Sequence, residues 1–402
     1  MRTWLSRRGL VRGLGRGTVV RTMAGGMLGV AVLASLHAPA EAYGTEATVN
    51  GSSPAARAAA SYQALNQYFD AGQGLLLEEY PNASQNPYSY LWPYSQAAVA
   101  AENLAGIPGR GRQWSDEARR RHDGYEPYWN ASTTPQGYDS YLRPPLGQGG
   151  DKFYDDNEWI GLNLVQNYQR TGDRSALARA KEIFALVVHG WDDDPAHPCA
   201  GGVFWTQAPW SQDRNTVSNG PGAELGAHLY LLTRDESYLS WSKKMYDWSQ
   251  QCMLAPNGLY WDHIDLAGTI EKTQWSYNQG VMLGAGALLY KATGDSKYLA
   301  DARALASASL EFYSSEDRLW RQPARFNSIY FKNLLILDSV APDRGYRALM
   351  QSYADRAWAE ARDPETGLFH FDDRPVQLLE QAGMVQIDAL LAWPRSKYGL
   401  LA

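Results

Sequence analysis

The sequence predicts an all-α fold, an (α/α)6 toroid of six inner and six outer helices, and a recurring motif with helical spacing on both sides of it carries that expectation. Asn167-Tyr168-Gln169-Arg170-Thr171-Gly172-Asp173 returns in altered form as Leu229-Tyr230-Leu231-Leu232-Thr233-Arg234-Asp235 and as Leu289-Tyr290-Lys291-Ala292-Thr293-Gly294-Asp295. The period is about 60 residues, suited to two helices joined by a long loop. Before the motif, apolar residues fall on one helical face, as in Ile160, Leu164 and Tyr168 or Leu225, Leu229 and Leu232. After it, Leu177, Ala180, Phe184 and Val187, or Leu299, Ala302, Leu305 and Phe312, do the same.

Each copy therefore reads as a helix, a tight reversal and a second helix. Gly172 and Gly294 suit the left-handed conformation that ends a helix, and Asp173 and Asp295 suit the cap of the next. The middle copy carries Arg234 where the others have glycine. Extending the period outward adds helix pairs at 94–104 with 114–121 and at 327–337 with 346–361. Single helices at 55–69 and 384–393 are left to pair with each other if the ring closes. The inner helices are expected to begin near Tyr94, Asp156, Pro221, Asn278, Asn327 and Met384, with their amino-terminal ends at one mouth. An open superhelical array is the alternative, and closure is preferred because no capping repeat is visible.

Residues 1–42 read as an export signal and residues 43–402 as one catalytic domain. Arg7 and Arg8 precede the apolar run Met27 to Leu36, and Ala40-Glu41-Ala42 has the small-x-small form of a cleavage site. Ser6-Arg7-Arg8-Gly9-Leu10 resembles a twin-arginine signal, which would export the chain already folded. The apolar run is shorter than the roughly 20 residues a membrane span needs, so no stable membrane insertion is expected. The product is then secreted. Formal net charge is −6 and no basic stripe follows the signal, which excludes the electrostatic footprint of a nucleic-acid binder. Fifteen Trp and 25 Tyr against nine Phe favour rings that join a flat apolar face to a polar edge, a combination that suits sugars. Cys199 and Cys252 either form one bridge or remain two buried thiols. No Cys or His cluster has zinc spacing, and Asp192-Asp193-Asp194 lacks the pattern of a calcium loop and reads as a solvated turn. No cofactor or metal is expected, and the chain is expected to act as a monomer.

The sharpest chemical signal is Phe153-Tyr154-Asp155-Asp156-Asn157-Glu158-Trp159. One acid suffices to cap a helix; two adjacent acids at the start of an inner helix supply what glycosidic cleavage needs. One carboxyl group protonates the leaving oxygen while the other meets the anomeric carbon. Mutual repulsion can hold one of them protonated. Candidate substrate-binding residues stand at the other inner-helix starts: Trp92 and Tyr94, Asn215 and Asn219, then Tyr277, Asn278 and Gln279. For each of these a capping or packing role stays open. Asp372-Asp373 ranks below the first acid pair, because it lies in a loop with no apolar helical face behind it.

Taken with Gly201-Gly202-Val203-Phe204-Trp205, Tyr277-Asn278-Gln279-Gly280 and Phe331-Lys332-Asn333-Leu334, these motifs resemble glycoside hydrolase family 76 across essentially all of residues 43–402. The resemblance implies an endo-α-1,6-mannanase with an (α/α)6 fold and a retaining mechanism, Asp155 the nucleophile and Asp156 the general acid/base. It implies α-mannan or a manno-oligosaccharide as substrate, a cleft bordered by residues 201–205, and residues 331–334 on the fifth inner helix. Two other readings stay open: a toroid glycosidase or transglycosidase acting on a different glycan, and a glycan-binding protein without turnover.

Overall fold

The computed structural model describes residues 52–84 and 86–402, so the expected export signal lies outside the described residues. Twelve α-helices are found among them: α1 (Pro54–Phe69), α2 (Leu91–Ala105), α3 (Ser115–Asp123), α4 (Tyr154–Thr171), α5 (Arg174–His189) and α6 (Thr216–Thr233), then α7 (Glu236–Cys252), α8 (Ser276–Thr293), α9 (Ser296–Ser314), α10 (Ala324–Val340), α11 (Arg344–Glu360) and α12 (Leu378–Leu391). The even-numbered helices are buried nearly all round and form the inner ring, whereas α5, α7, α9 and α11 bury one face and form part of the outer ring.

The ring closes, which decides against the open array. Each inner helix packs on the next, and α12 returns to pack on both α2 and α1. Named bonds hold that seam: Gln386 Nε2 donates to the Gln96 carbonyl (2.9 Å), Trp393 Nε1 to the Asn103 carbonyl (2.8 Å), and Gln381 Nε2 to the Ser61 carbonyl (2.9 Å). Outside it, Arg57 of α1 pairs with Asp355 of α11 at 2.7 Å. Gly106 leaves room for the Trp393 indole, since a Cβ there would lie 1.8 Å from a ring carbon.

The three reversals share their geometry. Gly172 and Gly294 take φ of 78° and 73°, and Arg234 takes the same left-handed conformation at 64°. Asp173, Asp235 and Asp295 each cap the following helix by accepting from the backbone N–H two residues on, at 2.9–3.0 Å. Before each Asp, a Thr hydroxyl (Thr171, Thr233, Thr293) donates to the carbonyl four residues back, at 2.7–2.8 Å.

Every inner helix starts earlier than the residue expected to open it. The starts are Leu91, Tyr154, Thr216, Ser276, Ala324 and Leu378, so Pro221 stands inside α6. The long loops carry short antiparallel pairs that the all-helical expectation left out. Residues 213–215 pair with 263–265, which pair with 270–271, and residues 79–80 pair with 376–377. These ribbons brace the loops at the inner-helix starts.

The interior of the ring is polar. Glu158 of α4 packs against Gly222 of α6, and Glu224 of α6 against Gly284 of α8, where added Cβ atoms would lie 2.9 and 2.0 Å from the carboxyl oxygens. Burial lifts both carboxyls above their usual range; the charges of Asp155 and Glu224 lift Glu158 further, while the buried Lys332 opposes the rise at Glu224.

A non-glycine residue in the left-handed region costs roughly 1–2 kcal/mol, partly offset by the extra freedom glycine gives the unfolded chain. Arg234→Gly is therefore expected to stabilise the protein by about 0.5–1 kcal/mol, and Gly294→Ala to destabilise it by about 1 kcal/mol or more. Denaturant unfolding of the two variants checks the opposite signs.

Candidate active site

Asp155 and Asp156 lie in the first turn of α4, where backbone N–H groups have no helical partner and favour negative charge. The two carboxyls are not equivalent. Asp155 accepts from the Asp156 backbone N–H at 2.9 Å and from the Trp205 indole Nε1 at 3.3 Å. Burial pushes Asp155 upward from the usual carboxylate range and these donors pull it back, with the Asp213 charge adding a smaller upward push. Asp156 is pushed well up by burial, then by the Asp155 charge, then by the Glu78 charge, and nothing among the described residues pulls it down. As pH rises, Asp155 ionises first, and its charge then helps keep the proton on Asp156.

The loop before α6 delivers Trp205, and a buried ionic network holds that loop. Arg214 donates to Asp192 (2.8 Å) and to the carbonyls of Pro198 (3.0 Å), Gly201 (3.3 Å) and Asp265 (3.1 Å), and His197 Nδ1 meets Asp192 at 2.9 Å. Asp192 is thus buried as the counter-ion of Arg214; of the three acids expected to form a solvated turn, only Asp193 and Asp194 are exposed. The Cys199–Cys252 disulfide ties the same loop to the end of α7, settling the choice left open by the sequence. Gly201 and Gly202 have φ of +99° and +84° and pass so close to Trp191 and Trp248 that a Cβ would meet their rings at 2.5–2.6 Å. Trp205 packs edge-on against Phe153 at 4.9 Å.

Tyr277 and Trp92 bring the starts of α8 and α2 to the same mouth as α10. The Phe326 ring stacks on Tyr277 (4.1 Å, 12°), lies against Trp92 (6.1 Å, 24°) and takes Trp275 edge-on (5.3 Å). Burial raises the Tyr277 hydroxyl well above its usual range, and the Asp262 and Asp155 charges add to that. Asn278 donates to Asp262 Oδ1 (3.0 Å) and so orients a carboxylate rather than facing the cleft on its own.

Three of the expected sugar contacts, Asn219, Gln279 and Tyr94, turn out to hold loops. Asn219 accepts from the Val203 N–H (2.9 Å) and donates to the Val203 carbonyl (3.4 Å); Gln279 does the same to Tyr260 (2.7 and 2.9 Å). Asn157 clamps Tyr138 in this way, Gln381 accepts from the Phe369 N–H, and Asn327 donates to the Leu319 carbonyl. The fully buried Tyr94 supplies the counterpart on α2, its hydroxyl donating toward the Gly74 carbonyl (3.0 Å) and lying 3.1 Å from that of Arg121. These six residues all occupy the fourth position of their inner helix. A loop without regular ladders needs side chains to satisfy its buried peptide groups, and an amide there serves both N–H and C=O. Asn215 is also turned inward, donating to Asp213 (3.3 Å) and accepting from Ser218 (3.3 Å).

Glu78, Asp213, Asp262 and Phe326 are the site residues that the sequence reading missed. Glu78 precedes the strand at 79–80; its carboxylate accepts from the Tyr90 N–H (2.8 Å) and its carbonyl from the Leu378 N–H (2.9 Å), at the seam between α2 and α12. Burial pushes its carboxyl up to about 7. Tyr260-Trp261-Asp262-His263-Ile264-Asp265 has no strict alternation of apolar and polar residues, so the three-residue strand that follows Asp262 leaves no signal in the sequence. Asp372 pairs with Arg374 on an exposed loop, and Asp373 is exposed beside it.

A closed ring of helix pairs with two adjacent carboxyls in unequal surroundings at its mouth defines a helical-toroid carbohydrate-processing class. Comparison narrows it: the chain belongs to glycosyl hydrolase family 76, whose family model matches residues 53–376. It is 31% identical over 186 residues to a mannan endo-1,6-alpha-mannosidase of Candida glabrata and 29% identical over 184 residues to one of Saccharomyces cerevisiae. Each match takes in 42% of this chain, and the chain spans only about two fifths of the length of these relatives (41% and 40%). A family 76 glycoside hydrolase (mannosidase) of Bacteroides thetaiotaomicron superposes with a TM-score of 0.74 at 26% identity, covering 84% of this chain and 98% of that one. An α-1,6-mannanase of Salegentibacter, inactivated by replacing two consecutive aspartates with asparagine and bound to α-1,6-mannotriose, shares the fold with a TM-score of 0.68 at 21% identity, covering 84% and 99%.

Two substitutions test the unequal electrostatics directly. Trp205→Phe removes a donor that favours the Asp155 charge, so the Asp155 carboxyl is expected to titrate at higher pH. Glu78→Gln keeps an acceptor for Tyr90 and removes a charge that is present above about pH 7, so Asp156 is expected to titrate at lower pH. Carboxyl carbon chemical shifts in labelled protein read both directions.

Proposed function

We propose that the protein is an exported, endo-acting α-1,6-mannanase that cleaves mannan with retention of configuration through Asp155 and Asp156. The observation that carries this reading is the asymmetry of the acid pair. Asp155, held by two N–H donors, attacks the anomeric carbon while Asp156 gives its proton to the leaving glycosidic oxygen. The bond from the anomeric carbon to that oxygen breaks as an ester to Asp155 forms. Asp156, now ionised, takes a proton from water, and the water oxygen attacks the anomeric carbon and releases Asp155. The Asp262 carboxylate held by Asn278 and the Tyr277 phenol supply polar contacts for sugar hydroxyls beside the pair.

Support for the substrate comes from the relatives, which are named for cleavage of 1,6-linked α-mannan, and from the mannotriose bound to a neighbour whose two consecutive aspartates were replaced. Endo action fits aromatic surface near both acids: Trp205 and Phe153 lie beside Asp155, while Tyr90 and Tyr141, with ring centres 5.1 Å apart, share the surroundings of Glu78 near Asp156. The disulfide and the signal-like start of the sequence support an oxidising destination outside the cytoplasm. No helix among the described residues is long and apolar enough to cross a membrane.

On debranched α-1,6-mannan, Asp156→Asn is expected to lower oligosaccharide release by about 10²–10⁴-fold, and Asp155→Asn by at least as much. Circular dichroism of both variants should match the parent. Proton NMR of the first products should show the α-anomer forming before mutarotation. Full turnover in either variant, or a β-anomer formed first, overturns the assignment.

A further inference from the structure

Trp210 and Leu254 are the exposed large apolar side chains among the described residues, and Trp210 is the more exposed at 51%. Leaving an indole in water forgoes apolar burial. The ring is not loose. Its Nε1 donates to Asp151 Oδ2 at 3.0 Å, it leans on Phe153 with centres 6.1 Å apart, and it meets Trp205 at 6.3 Å with planes 83° apart. Phe153 caps α4 just before the acid pair, and Trp205 donates to Asp155. Trp210 is thus one aromatic ring farther from the nucleophile along a continuous surface.

The loop beneath it is also set before any ligand arrives. Thr206 Oγ1 donates to the Lys152 carbonyl (2.6 Å), the Gln207 N–H donates to the same carbonyl (3.1 Å), and the Ser211 N–H donates to the Ala208 carbonyl (2.9 Å). Pro209 restricts the turn between them. A fixed, half-exposed indole is suited to lie against the apolar C–H face of a pyranose at little conformational cost. A protein partner would need a larger apolar patch; of the rings that Trp210 meets, Phe153 is buried and Trp205 half-buried, and Asp151, Gln207 and Ser211 add polar groups around it.

We propose that Trp210 is a distal stacking subsite that holds a mannopyranosyl unit of the chain beyond the unit seated at the acid pair, and that it makes the enzyme favour long substrates. The proposal rests on the mannan-cleaving reading above. Binding energy gained at a remote unit is available only to chains long enough to reach it.

The test measures kcat/KM on linear α-1,6-manno-oligosaccharides from the shortest cleaved up to the hexamer, for the parent, Trp210→Ala, Trp210→Phe and Asp151→Ala. The parent is expected to prefer the hexamer. Trp210→Ala should shrink that preference by about tenfold, mainly through KM, as expected for losing one aromatic stacking contact. Trp210→Phe should recover most of it, and Asp151→Ala, which frees the ring, should fall between. Because the readout is a ratio of substrates on one folded protein, a general loss of stability does not imitate it. An unchanged preference in Trp210→Ala, or an equal loss at every length, overturns the subsite. A parent that cleaves none of these oligosaccharides overturns the mannan reading itself.

Discussion

Two neighbouring carboxyl groups withdrawn from water do not ionise together, and the whole site depends on how this conflict is resolved. Charge settles where donors are: the free N–H of the first helical turn and the Trp205 indole both point at Asp155. Asp156 has no such donor among the described residues, and burial, then the Asp155 charge, then the Glu78 charge push its carboxyl well up. One residue type at consecutive positions is thereby given two different carboxyl environments, with the backbone of α4 fixing their separation.

The toroid makes that arrangement rigid. Six inner helices present their amino-terminal ends at one mouth, and each carries in its fourth position a side chain that grips the preceding loop. The acid pair sits on the first turn of α4, and Glu78, Trp205 and Asp262 sit on those loops. Trp205, for example, follows two residues after the Val203 peptide that Asn219 clamps. Ring closure through α12 sets the position of Glu78, whose carboxylate reaches Tyr90 just before α2 while its carbonyl accepts from the first residue of α12. Arg214 and the disulfide do the corresponding work on the side of Asp155.

Much of this was legible in the sequence, because the repeated reversal motif encodes a physical necessity. A left-handed residue followed by an Asp cap turns one helix into another, and three copies in register imply a ring or an array. The acid pair was legible for a similar reason, since one cap explains only one Asp. The amides were misjudged: Asn219 and Gln279 look the same in sequence whether they bond a sugar or a loop peptide. Tyr94 was misjudged because its aromatic ring suggested stacking, while its hydroxyl is engaged by backbone carbonyls. Asp262 and Glu78 lie on or beside strands of two or three residues, too short to leave a periodic trace, and they reach the site only through pairing across distant segments. Asp192 read as a turn acid because its partner, Arg214, lies on another element.

The central claim is that Asp155 carries the charge and becomes covalently bonded to the sugar. A fluorinated α-mannosyl fluoride that slows breakdown of the ester would trap that bond, and peptide mass mapping would locate it. The account predicts a single adduct on Asp155, lost when Asp155 is replaced by Asn. An adduct on Asp156, or steady turnover that yields the inverted anomer without any adduct, contradicts it.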